Sequence, residues 1–302
     1  MKKILAYLRA YVQSLDQRIF ALSVLILSLA VFVNYYFGLN HRIRVLPEGQ
    51  QYLAWYAVFA TGWWLPLAAL LLKRGSSGFR SPRFIAIVLL APLVFAWKMV
   101  FDFDLPITQD AAMNAYWNHV LYWPLKLLII GSILYLFWKS GGTEDRFYGA
   151  TLKGFQPRPY LIMLLIMVPL IAAASTQPDF LITYPKLKAL SFLPPAQREG
   201  WAAWLFELGY GSDFVTIELF FRGFLILGLV RWLGKDAILP MACFYCTIHF
   251  GKPLGECISS FFGGLILGVV TYHTRTIFGG LMVHLGIAWL MELGGYLGGG
   301  MH

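Results

Sequence analysis

Long apolar runs broken by short polar clusters set the pattern of this chain. Nine stretches are mostly apolar: 18–39, 52–72, 83–101, 120–138, 159–177, 214–232, 236–250, 257–272 and 276–297. A bilayer core of about 30 Å takes roughly 20 apolar residues as a helix, because every backbone amide in lipid must be paired within its segment. The pattern predicts an all-α fold, a polytopic transmembrane helix bundle of about eight to nine helices. The seventh and eighth stretches are short and bounded by charges and by Pro253, which predicts tilted or partly re-entrant segments. Ahead of the first stretch, Lys2, Lys3 and Arg9 interrupt a broken apolar run and no small-residue cleavage site follows, so no cleaved signal peptide is expected.

The polar positions divide the chain by character. The first four stretches hold only Lys98 and Lys126 as interior ionisable groups, both expected to snorkel to a helix end. The connection 178–213 carries Pro178, Pro185, Pro194 and Pro195, then an aromatic run from Trp201 to Tyr210 suited to a short amphipathic helix in the outer interface. After residue 213, polar groups enter the apolar stretches. Ser260, Gly264 and Gly268 share one helix face at a spacing of four, which favours close helix packing.

Composition agrees with the pattern, since 59% of the 302 residues are hydrophobic and 13% charged, outside the range of an ordinary soluble domain. Charge adds orientation. Fifteen Lys and Arg fall on the N-terminus and alternate loops, Arg80 among them, against six on the opposite side, whose 102–119 loop has three aspartates and no cation. The positive-inside rule then places the N-terminus in the cytoplasm and the C-terminus outside. This asymmetry accounts for the formal charge of +9, and no nucleic-acid partner is implied. Cys243, Cys246 and His249 stand three apart like metal ligands, but buried thiols in a membrane helix are ordinarily packing residues.

The candidate chemistry lies in the later stretches. Glu218 and Arg222, four apart, can pair within one helix, and ionisable groups at membrane depth face a partner or a wet cavity. His249 ends the seventh stretch and His284 sits near the middle of the ninth. Glu256 follows His249 by seven residues and pairs with Lys252 at a loop, while Glu292 follows His284 by eight. Depth counted from the span ends gathers these groups in the outer half of the bilayer. A carboxylate and two imidazoles suit peptide-bond hydrolysis without a covalent intermediate, one group taking a proton from water and another steadying the oxyanion. Two histidines and a glutamate also form a catalytic zinc set, although no His-Glu-x-x-His motif is present.

At these residues the sequence resembles the CAAX prenyl endopeptidase and bacteriocin-processing family of intramembrane glutamic proteases, over roughly 213–297. The family's glutamate pair, three further residues, arginine and glycine correspond to Glu218, Leu219, Phe220, Phe221, Arg222 and Gly223. Its aromatic followed four later by histidine corresponds to Tyr245 and His249, and its histidine followed four later by asparagine corresponds at His284. Two positions depart: the first glutamate, the usual water-activating base, is Ile217, and the asparagine is Ala288. Asp213, one turn before Ile217, and Glu292, one turn beyond Ala288, are the carboxylates placed to compensate, with Glu256 a further candidate.

The resemblance implies an N-terminal scaffold over 1–158 and a protease core over 159–302, in a multi-pass protein of the bacterial inner membrane. It implies catalytic roles for Glu218, Arg222, His249 and His284. Its partners would be membrane lipid and a membrane-associated protein or peptide substrate, and it needs no cofactor, zinc being the alternative. Three readings stay open: a divergent intramembrane endopeptidase, a non-catalytic scaffold or immunity protein, and a metal-dependent hydrolase or small-solute transporter.

Overall fold

The structure, a computed structural model, describes residues 1–75, 81–141, 146–194, 198 and 200–299. Arg80 and Pro195 lie outside these. The described residues form an all-α polytopic bundle. Seven helices are long and apolar enough to cross a bilayer: α2 (Gln17–Phe37), α4 (Glu48–Arg74), α5 (Pro82–Val100), α6 (Ala111–Lys139), α7 (Pro157–Ala174), α12 (Leu254–Thr274) and α13 (Phe278–Leu297). Shorter helices are α1 (Lys2–Ser14), α3 (Leu39–Arg44), α8 (Pro178–Thr183), α9 (Trp201–Glu218), α10 (Val230–Leu233) and α11 (Ile238–Thr247).

Two of the nine expected spans take another form. The sixth does not begin at residue 214. The helix starts at Trp201 and runs through α9 into a π-helical segment, Leu219–Leu227. The Trp201–Tyr210 run is therefore no separate interfacial helix. Its Ala202, Phe206, Gly209 and Tyr210 are buried at helical spacing, so Phe206 and Tyr210 pack inward while Trp201 and Trp204 stay exposed on the other face. The seventh, 236–250, holds only the ten-residue α11, about 15 Å of helix at 1.5 Å per residue. All ten residues are buried, so α11 is a core helix enclosed by protein.

The chain forms two compact units, the first comprising 1–101, 138–155 and 219–277 and the second 102–137, 156–218 and 278–302. In the first, α11 packs against α2, α4 and α12. Gly264 lies against Ala242 and Tyr245, and Gly268 against Ile238 and Met241, the close approach their spacing predicts. Phe95, Phe220, Phe221 and Phe244 form an aromatic centre with ring centroids 4.9 to 5.9 Å apart along its edges from Phe95. Pro92 has no N–H for the Val88 carbonyl four residues earlier, and the indoles of Trp63 and Trp64 donate to that oxygen instead, at 3.1 and 2.9 Å. The three cysteines are free and buried, and the Cys246 thiol donates to the Cys257 carbonyl at 3.2 Å, a packing role.

In the second unit, Lys126 overturns the snorkelling expectation. Because α6 begins at Ala111 rather than near 120, this lysine lies mid-helix, 1% exposed, with Nζ 3.7 Å from the centroid of Tyr122. A ring face offers negative potential where water is excluded. Lys98, in the last turn of α5, keeps the helix-end position expected of it. Residues 102–108 form neither helix nor strand and are held by the Asn114 and Asn118 side chains, which accept from the Ile107 and Leu105 amides at 2.7 and 2.8 Å.

Candidate active site

Within the second unit, α9 and α13 meet along facing ridges of residues four apart. Tyr210, Phe214 and Glu218 come from α9, and Gly280, His284 and Ala288 from α13. Ala288 packs with Tyr210 and Phe214, the Phe214 ring meets the His284 ring edge-on at 4.7 Å, and Glu218 Oε1 lies 3.1 Å from His284 Nδ1. Glu218 is 0% exposed, and its Oε2 stands so close to Gly280 that a Cβ there would have to push the carboxylate aside. An ionised carboxylate only accepts hydrogen bonds, so its partner in such a pair is an Nδ1–H. The departures from the family motif are packed apolar positions, Ile217 at 8% exposure and Ala288 at 3%.

The first unit holds Arg222, Tyr245 and His249. Arg222 lies in the π-helical segment, where the Gly228 amide donates to the Gly223 carbonyl five residues back at 3.0 Å. Such wider turns concentrate at functional sites. The guanidinium is fully buried, 4.3 Å from the Tyr245 ring centroid. Tyr245 also receives His249, whose Nδ1 is 2.9 Å from the Tyr245 carbonyl oxygen. A carbonyl cannot donate, so this bond puts a proton on Nδ1. The loop bearing His249 is tied to α2: the Asn34 side chain donates to the Phe250 carbonyl at 2.9 Å and the Tyr35 hydroxyl to that of Lys252 at 2.7 Å. The sequence reading passed over both residues. The signal was Asn34, an amide side chain inside the first apolar stretch.

The remaining candidates take structural places. Glu292 accepts from the Lys186 amide at 2.8 and 2.6 Å and from the Leu187 amide at 3.3 Å, so its carboxylate caps the 3₁₀ turn Lys186–Leu190. Its neighbour is Glu207, a second carboxyl the sequence reading did not single out. Asp213 is half-buried on α9, one turn before Ile217. Glu256 stands in the first turn of α12 rather than in a loop, 3.4 Å from Lys252 and only 17% exposed. Among the described residues, no three His, Cys, Asp and Glu side chains gather as a metal site.

Residues 199–290 match the family model described as type II CAAX prenyl endopeptidase Rce1-like. This segment is Rce1-like. The Rce1-like segment covers less than a third of the chain, yet it contains Glu218, Arg222, His249 and His284. Glu292 lies just beyond it. Comparison with curated proteins and with solved structures gives no match. Seven helices long and apolar enough to cross a bilayer, with a segment similar to a family of intramembrane proteases, make this a multi-pass integral membrane protein.

Proposed function

We propose that the protein is an intramembrane endopeptidase that hydrolyses a peptide bond of a membrane-associated protein or peptide. The observation that carries this reading is the enclosed hydrogen bond between Glu218 and His284 in the Rce1-like segment. The motif's usual base position is Ile217, and Glu218 is the neighbouring carboxylate that could serve in its stead. With Oε1 held by His284 and Oε2 enclosed against Gly280, it acts instead as a positioning carboxylate. It fixes the Nδ1–H tautomer and offsets the charge the ring acquires.

In this mechanism His284 Nε2 takes a proton from water as the oxygen attacks the scissile carbonyl carbon. The resulting tetrahedral oxyanion collapses, the C–N bond breaks, and the imidazolium returns the proton to the departing amine. Arg222 and His249 hold the family's motif positions and supply stabilising donors on that resemblance. The chain's own residues suffice for these steps, and no cofactor is invoked. The N-terminus is assigned to the cytoplasm, in a bacterial inner membrane.

The test is cleavage of a membrane peptide pool and of a prenylated CAAX peptide by purified protein. Turnover by the natural sequence, lost in stable His284→Ala, supports the reading. The apolar packing of Ile217 and Ala288 favours a second one, a non-catalytic partner-binding protein. No turnover of either substrate by folded protein selects it.

A further inference from the structure

Tyr148 lies in the first unit and outside the Rce1-like segment. Its φ of 43° and ψ of 39° put it in the left-handed region, inside the short 3₁₀ turn Phe147–Gly149, and its side chain is 0% exposed. That region is sterically disfavoured for a bulky residue, so Tyr148 keeps it only because its surroundings over-determine it. Backbone held in this way gathers at functional sites. The surroundings here are the π-helical segment Leu219–Leu227, against which the turn packs.

Tyr148 touches both ends of one hydrogen bond in that segment, the five-residue link from the Gly228 amide to the Gly223 carbonyl. A Cβ on residue 223 would stand 2.7 Å from the Tyr148 carbonyl oxygen and 2.9 Å from its Cβ, and one on residue 228 would stand 3.1 Å from Tyr148 Cε1. Between these points the Phe224 ring meets the Tyr148 ring edge-on at 5.6 Å, and Leu227 Cδ1 lies against Gly149. The turn therefore covers residues 223, 224, 227 and 228, a single face of the wider helix. It is anchored from behind as well. The Ile277 amide donates to the Gly149 carbonyl at 3.0 Å, and the Thr276 hydroxyl to the Thr151 carbonyl at 2.5 Å.

Winding explains what such a clamp does. A π turn closes its hydrogen bond over five residues where an α turn closes it over four, so it carries a surplus residue. That surplus can pass along a helix as five-residue and four-residue bonds exchange, and only packing from outside fixes where it sits. Arg222 immediately precedes Gly223. Moving the surplus past it would swing its side chain about the axis by roughly 100°, off the Tyr245 ring whose centroid lies 4.3 Å from the guanidinium. We propose that Tyr148 is a positioning residue, which pins the π winding against Gly223 and Gly228 and so keeps Arg222 over the face of Tyr245. Its effect on cleavage rests on the endopeptidase reading, in which Arg222 supplies a stabilising donor, whereas the placement of Arg222 is measurable without turnover.

The experiment uses the full chain in mild detergent, labelled with nitrogen-15 arginine. A guanidinium above a ring face has its N–H protons shifted upfield by the ring current, and the Arg222 signal is identified by its loss in Arg222→Lys. Tyr148→Asn accepts the left-handed backbone but removes the ring. It should return the Arg222 signal to the range of exposed arginines, and kcat should fall about 100-fold with KM little changed, the effect of a group misplaced by about 1 Å. Tyr148→Phe, which keeps the ring, should recover the shifted signal and most of the turnover. If Tyr148→Asn gives no folded protein, Tyr148→Leu, which keeps apolar bulk but lacks the ring that reaches Gly228, is read in the same way. A tyrosine that only stabilises the fold would lower Tm and leave the Arg222 signal of the folded chain in place, and that result overturns the proposal. A moved signal in a chain whose wild type cleaves neither substrate upholds the positioning role and removes the endopeptidase reading instead.

Discussion

At Glu218, exchanging one carboxylate oxygen for an amide nitrogen separates a structural role from a catalytic one. Glu218→Gln keeps shape and volume, but its amide can donate to Nδ1 and so favour the tautomer whose Nε2 already bears the proton. Cleavage should fall by a factor of about 100 or more through kcat, with KM little changed and Tm near wild type. His284→Ala should fall as far, and the pair of changes together no further, because the two groups act as one unit. Full activity in stable Glu218→Gln would remove it from the mechanism and turn attention to Asp213. A second measurement at this scale addresses metal. Activity should survive chelator, and about one zinc per chain that is lost on His249→Ala would replace this mechanism with a metal-dependent one.

At the scale of elements, α9 and α13 depend on glycine at 280. A methyl there claims the volume of Glu218 Oε2, so Gly280→Ala should displace the carboxylate and abolish cleavage while the seven spans still insert. A cross-link between residues on α6 and α9 would report the intact unit. The proline bend in α5 gives an independent test. Trp63→Phe with Trp64→Phe leaves the Val88 carbonyl without its indole donors and should lower stability by about 1–3 kcal/mol. In a Pro92→Ala background, whose new N–H can reach the same oxygen, the double change should cost less. The sequence made such elements legible where length and apolarity decide them, as in α2, α5 and α7. It misplaced α9 because Glu207 and Asp213 break the apolar run ahead of 214, while the inward face of Ala202, Phe206 and Tyr210 that makes it helical is a matter of packing. It misjudged Lys126 for a related reason: nothing local announces nine further helical residues ahead of 120.

For the whole molecule, the excess of Lys and Arg on the N-terminal side, counted over nine crossings, is the basis for expecting a cytoplasmic N-terminus and an external C-terminus. A C-terminal alkaline phosphatase fusion should be active and a green fluorescent protein fusion dark. The reverse pattern would overturn the assignment. The membrane class and the motif residues were readable because ionisable groups are rare in apolar stretches and stand out by number alone. The contact of Glu218 with His284 and the tie of Asn34 to the His249 loop were not, since residues 66 and 216 positions apart leave no local trace of each other. That first separation also has a consequence in time. The imidazole that Glu218 needs lies 66 residues further along, on α13, and at roughly 5–20 residues per second it follows about 3 to 13 s later. Through that interval the nascent chain carries Glu218 without this imidazole, so the pair on which the proposed cleavage depends forms only once α13 has been made.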